Sequence, residues 1–190
     1  MVYSTSQILE LPQRLFSRRE LIPPEPDILW RIERGVVRTL TWSENGTSIT
    51  LGYWSFGDLI GYPLSKVRPY QIECLTSVEA SIVPSYIWHK DIKAMISHIQ
   101  QAEELLSIVH RQPTSLRLWK FLLWLGEKFG RNLEQGKLID LNITHQEMAE
   151  VLNTTRVTVT RLLIQFEEEG KIFRHKRSII LCLPQKLSKI

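Results

Sequence analysis

Cysteine is scarce in this 190-residue chain: only Cys74 and Cys182 occur, far apart. Two such residues give neither a disulfide framework nor a CxxC metal site, and they read as ordinary thiols of a reducing compartment. Long apolar runs are missing too. No stretch reaches the roughly 20 residues that would span a bilayer, and the longest cluster, Leu118 to Leu125, is broken by Lys120. No basic segment followed by an apolar run opens the chain, so no signal peptide, no membrane partner and a cytoplasmic location are expected. Internal repeats and low-complexity segments are lacking. Catalytic arrangements are lacking as well. His89, His98, His110, His145 and His175 are scattered, with no Ser/His/Asp, Cys/His or paired-carboxylate grouping. The acidic run Glu167–Glu169 reads as a solvated helix end. An enzyme is not expected.

What is present is enough to fold. Apolar residues make up 43% and charged residues 23%, the balance of a chain that buries a core. The net charge is +4, unevenly spread: residues 114–190 hold 13 Lys+Arg against 8 Asp+Glu, and residues 1–113 hold 11 against 12. A basic C-terminal part beside a neutral remainder fits a polyanion-binding module joined to something else.

The periodicity divides the chain. Residues 1–27 suggest a short helix near Ile8–Phe16, then a connection through Pro23, Pro24 and Pro26. From Ile28 to about Val83, short β-type runs at Leu29–Ile32, Val36–Trp42, Ser48–Tyr53, Gln71–Leu75 and Ala80–Val83 alternate with turn signals. Asn45-Gly46 marks a hairpin turn. Many short strands at this spacing predict a small barrel or sandwich. After Pro84 the period becomes helical. Ile92, Met95, Ile96, Ile99, Ala102, Leu106 and Val109 form an apolar seam on a helix of roughly 20 residues. That seam serves either packing on the chain's own barrel or dimerisation. Pro113 ends it, Thr114 or Ser115 is placed to cap a second helix, and Gly130–Gly136 reads as a loop.

The most informative stretch is Ile143–Ile172, ITHQEMAEVLNTTRVTVTRLLIQFEEEGKI. Thr144 followed three residues later by Glu147 makes a capping box, and Met148, Ala149, Val151 and Leu152 form an inward face. Asn153 suits the left-handed turn that ends this short helix, and Thr154 or Thr155 caps the next. Two helices across a tight turn predict a helix-turn-helix, whose second helix enters the DNA major groove. The predicted DNA-contacting residues are Thr144, His145, Gln146, Thr155, Arg156, Val157, Thr158, Thr160 and Arg161. Arginine suits guanine or phosphate, and threonine suits phosphate or thymine. A β-hairpin wing follows, its basic tip at Lys176 and Arg177 directed to the phosphate backbone.

The stretch Thr144–Ile172 resembles the winged helix-turn-helix of the Crp/Fnr regulators, and Leu29–Gly61, with its Gly57-Asp58 turn, resembles their β-roll. The resemblance implies an α+β chain: a β-roll of the cupin-like jelly-roll type over 1–88, a dimerisation helix over 89–112 and a winged helix-turn-helix over 113–190. It implies a homodimeric transcription regulator on a palindromic operator, with double-stranded DNA and RNA polymerase as partners. Cyclic-nucleotide members carry Gly-Glu after the Gly-Asp turn and later Arg-Ser/Thr; here Gly61-Tyr62 and Arg68-Pro69 stand instead, which argues against a cyclic nucleotide. Two lone cysteines argue against an iron–sulfur cluster. The string TTRVTVTRLL resembles the cyanobacterial nitrogen-control branch, whose members bind 2-oxoglutarate between β-roll and long helix. By that resemblance Gly61, Arg68, His98 and Glu103 are effector-pocket positions, His98 standing where that branch has arginine. Two readings stay open: a regulator with 2-oxoglutarate or another small effector, and an effector-independent DNA-binding protein whose β-roll serves only dimerisation or protein docking.

Overall fold

A computed structural model describes residues 11–175 and 178–182. By its contacts the chain divides into two units. One holds residues 11–39 together with Tyr53–His98; the other holds Leu40–Gly52 together with the described residues from Ile99 onward.

The first unit is built on β-structure. Strands β1 (Gln13–Phe16), β3 (Ile28–Arg34), β6 (Leu59–Ile60) and β8 (Val78–Pro84) form a sheet in the order β1-β8-β3-β6. A second sheet runs β2-β7-β4-β5, from β2 (Leu21–Ile22), β4 (Val37–Trp42), β5 (Ser48–Trp54) and β7 (Gln71–Cys74). Trp30 and Ile32 of β3 and Val78 and Ala80 of β8 alternate into one face, while Leu29 and Val83 join Leu59 and Ile87 in a second buried cluster; β3 pairs Trp30 with Ile82 and Arg31 with Ser81. Trp30, Tyr53 and Trp54 lie wholly inside, and the Trp54 indole donates to the Thr39 hydroxyl at 3.0 Å. Gly57, at φ 84°, makes the turn before β6, and the Asp58 carboxylate accepts the Ser55 N–H at 2.8 Å.

The helix expected near Ile8–Phe16 is not there: Gln13–Phe16 is a strand, paired antiparallel with β8 in the register Gln13↔Ser81. Residues 8–10 of that expectation lie outside the described residues. Pairing with a free sheet edge outweighs the local helical pattern, because only Phe16 of the four is buried and the segment has no apolar face to dock as a helix.

A 3₁₀ stretch, Ser85–Asp91, leads into helix α1 (Ile92–Val109), where the helical period placed it. Leu105 and Ile108 are buried on one side of α1, whereas Ile92, Ile96, Ile99 and Leu106 are exposed on the other.

In the second unit, Gly46 (φ 79°) turns the hairpin between β4 and β5, as Asn45-Gly46 predicted. Helix α2 (Thr114–Phe129) buries Leu118, Phe121, Leu122 and Leu125. Its cap position is Pro113 and not Thr114 or Ser115; the Thr114 hydroxyl accepts from Arg117 at 2.9 Å instead. The predicted loop at Gly130–Gly136 is a hairpin: β9 (Gly130–Leu133) pairs with β10 (Gly136–Ile139). Glycine at 136 has a packing reason, since a Cβ there would stand 2.1 Å from the Leu181 carbonyl oxygen. Helices α3 (His145–Val151) and α4 (Arg156–Glu168) follow, then β11 (Ile172–His175) and β12 (Ser178–Leu181), completing a sheet in the order β11-β12-β10-β9. Among the described residues, no helix is long and apolar enough to cross a membrane.

Candidate nucleic-acid interface

The short helix α3 begins with a reciprocal cap. The Thr144 hydroxyl accepts the Glu147 N–H at 3.1 Å, and the Glu147 carboxylate accepts the Thr144 N–H at 2.7 Å. Met148, Ala149, Val151 and Leu152 are buried, so α3 offers its apolar side to α4. The tight turn passes through Asn153 at φ 47°, the left-handed conformation an asparagine tolerates. Thr155, not Thr154, caps α4; its hydroxyl accepts the Thr158 N–H at 3.1 Å.

On α4 the sides are sharply divided. Val159, Leu162, Leu163 and Phe166 are buried, with Phe166 edge-on to Trp119 of α2 at 5.7 Å. The opposite side is a shallow trough lined by Arg156, Val157, Thr160, Arg161, Ile164, Gln165 and Glu168. At about 100° per residue, Arg156 and Arg161 stand about 140° apart, one at each margin, with Val157 and Ile164 between them. Val157 is 77% exposed, with no cover among the described residues. An apolar strip between two guanidinium groups, on one face of a helix held by its other face, suits a groove lined with acceptors and methyl groups.

The predicted residues divide by role. Arg156, Val157, Arg161 and Gln146 are exposed; Gln146 donates to Glu150 at 3.1 Å. All four predicted threonine hydroxyls are engaged internally: Thr144 accepts the Glu147 N–H, Thr155 and Thr158 lie 2.9 Å apart, and Thr160 donates to the Arg156 carbonyl at 2.9 Å. His145 is half-buried, its Nδ1 2.9 Å from the Thr160 hydroxyl. Burial and then the guanidinium groups of Arg174 and Arg156 hold the His145 pKa below the ordinary histidine value. Lys176 and Arg177 lie outside the described residues. Sequence reasoning missed Ile164, Gln165 and Glu168, although the i+4 and i+8 spacing from Thr160, Arg161 and Arg156 carries them to the same face. It also missed the clamp that sets the wing. Arg174 of β11 donates through Nε and Nη2 to Glu167 of α4 at 2.9 and 2.6 Å, and this hydrogen bonding holds the Glu167 carboxyl below its usual range.

The effector-pocket positions have intramolecular engagements. Gly61 approaches the chain so closely that a Cβ would lie 2.9 Å from the Ile28 carbonyl oxygen. The Arg68 guanidinium sits 3.5 Å over the Tyr62 ring and donates to the Ser65 and Val67 carbonyls at 2.8 and 2.7 Å. His98 stacks on Trp54 with ring centroids 3.9 Å apart, its Nδ1 2.9 Å from the Leu59 carbonyl oxygen. Gly61, Arg68 and His98 thus belong to the first unit, and Glu103 is exposed on α1 in the second.

The sequence profile of the Crp-like helix-turn-helix domain matches residues 116–190. The chain is 41% identical over 189 residues to the regulatory protein CysR of Synechococcus elongatus, covering 96% of this chain and 90% of that one. It is 30% identical over 201 residues to the global nitrogen regulator of the same organism, covering 95% and 90%. A crystal structure of a Crp/Fnr-family transcriptional regulator from Thermus thermophilus superposes with a TM-score of 0.74 at 26% identity, covering 92% of this chain and 95% of that one. With the helix-turn-helix geometry, these likenesses lead to one conclusion: the chain belongs to the Crp/Fnr family of DNA-binding transcription regulators, in the branch that holds the cyanobacterial regulators.

Proposed function

We propose that the protein binds a roughly palindromic operator as a homodimer, with α4 of each copy in a major groove, and that no cyclic nucleotide controls it. The observation that carries this reading is the exposed side of α4, two arginines flanking an apolar strip opposite a fully buried side. The exposed line of Ile92, Ile96, Ile99 and Leu106 supports the second copy. The working division is a β-roll over 1–88, a dimerisation helix over 89–112 and a DNA-binding domain over 113–190. Thr144, His145 and Gln146 border the groove, and Lys176 and Arg177 meet phosphates. RNA polymerase is the protein partner.

A second reading is favoured by the first unit. Arg68 is spent on its own loop and His98 on Trp54, so neither is poised for an anionic effector such as 2-oxoglutarate. On this reading the protein binds DNA without an effector. The experiment is a selection of random duplexes by the purified protein without additives, with sedimentation of the selected complex. Enrichment of an inverted repeat bound by two copies supports the proposal, and a single unrepeated site bound by one copy refutes it. Affinity unchanged on adding 2-oxoglutarate or cyclic AMP favours the effector-free form.

A further inference from the structure

Thr160 lies where a base-reading residue would, yet its hydroxyl has a different occupation. It holds one hydrogen, and that hydrogen is donated to the Arg156 carbonyl oxygen at 2.9 Å, an atom that can only accept. The contact between the same hydroxyl and His145 Nδ1, also 2.9 Å, then has a single sense: Nδ1 carries the proton and the hydroxyl accepts. Neutral His145 is thereby fixed in one tautomer, with the lone pair on Nε2. Nε2 has no hydrogen-bond partner among the described residues. Its partner Thr160 lines the exposed trough.

From this geometry we infer that Thr160 is a positioning residue that orients His145, and that His145 Nε2 takes up a proton as the protein binds DNA and donates it to a backbone phosphate. The inference rests on the DNA-binding reading above and adds a linkage that reading does not contain. The groups facing His145 are cationic: Arg156 from α4 and Arg174 from β11, the latter already paired with Glu167. On its own helix, the Glu147 carboxylate is occupied by the Thr144 N–H. Partial burial and these cations hold the imidazole toward its neutral form in the free protein. A phosphate brought beside it reverses the local field, and an imidazolium donates a charge-assisted bond to it that a neutral ring cannot. Balance is simple: one proton leaves solvent, Nε2 gains it, and no covalent bond changes.

The test is operator affinity against pH at fixed salt, by fluorescence anisotropy. The probe is the tightest duplex recovered by the selection described above, and the range is about pH 5.5 to 8.5, where an imidazole titrates. Wild-type affinity should fall as pH rises, with a limiting slope of about tenfold per pH unit for one proton. His145→Gln should bind weakly with most of that slope gone, and His145→Arg tightly and without it. Thr160→Val should lose the low-pH gain, because the ring is no longer held, and Thr160→Ser should restore it. A purely structural threonine would change affinity equally at every pH. Specific binding by the wild type that is flat in pH overturns the inference alone, as does a slope that survives His145→Gln undiminished. Failure to select any duplex overturns the DNA-binding reading and the inference together.

Discussion

At the scale of single residues, the α4 face separates side chains that read from side chains that hold. Arg156 and Arg161 stand at opposite margins of the trough and cannot share one base pair. Removing the one that addresses a base edge should cost about 1–3 kcal/mol and relax preference at one operator position. Removing a phosphate contact should weaken all sequences alike. Sequence logos from the duplex selection with Arg156→Ala and Arg161→Ala decide which is which, and two unchanged logos would show that α4 does not read bases. His145 makes a second prediction. Its folded pKa is lowered from 6.5, so between the two values the unfolded chain binds more protons. Its contribution to folding is complete above the unfolded value and is lost as pH falls through the folded one. The thermal midpoint of the DNA-free protein should therefore fall on acidification through this window, and less so in His145→Gln. Residue types at these positions were legible in the sequence because period and charge select them. The internal bonds of Thr155, Thr158 and Thr160 were not, since a hydroxyl suits phosphate, base and backbone carbonyl equally well. The stacking of His98 on Trp54 joins distant parts of the chain, and no local signal announces such a pair.

At the scale of elements, caps and turn residues made the helix-turn-helix legible almost to the residue, because capping is local chemistry. Thr144→Ala should destabilise the domain by about 1 kcal/mol, read as a lower midpoint in urea with an unchanged slope. A midpoint equal to wild type would mean that the capping box carries no weight. Strand assignments failed where pairing overrides local pattern. Gln13–Phe16, read as the end of a short helix, joins the edge of β8 instead. Gly130 and Gly136 read as loop punctuation, but Gly136 marks the close approach of β10 to β12. The clamp from Glu167 to Arg174 was equally hidden. It ties the wing's first strand to the last turn of α4, so helix and wing keep a fixed angle. The sequence displays Arg174 only as one more cation in a basic run.

At the scale of the whole molecule, the change of period separated β-structure from long helix, and caps, the Asn153 turn and the family resemblance added the winged helix-turn-helix. The partner of α1 was not legible, because an apolar seam looks the same whether its own chain or a second copy covers it. In the structure Ile99 remains 58% exposed, and Ile92, Ile96, Ile99, Glu103, Leu106 and His110 fall within about 40° of one line along α1. Ile99→Glu should yield a monomer in sedimentation with greatly weakened operator binding, and a dimer of unchanged strength would remove α1 as the interface. The line is not uniformly apolar. In a parallel pair Glu103 faces its copy between layers of Ile99 and Leu106, and two like charges opposed there weaken association. Such a pair dissociates more readily on dilution than an all-aliphatic seam would. In the dilute regime, where monomers predominate, promoter occupancy then follows the square of the amount of protein, so halving the cellular dose lowers it by about fourfold. For a dimer built on α1 as proposed, the protein's own abundance becomes a signal, and the Glu103 carboxylate in the seam steepens the response.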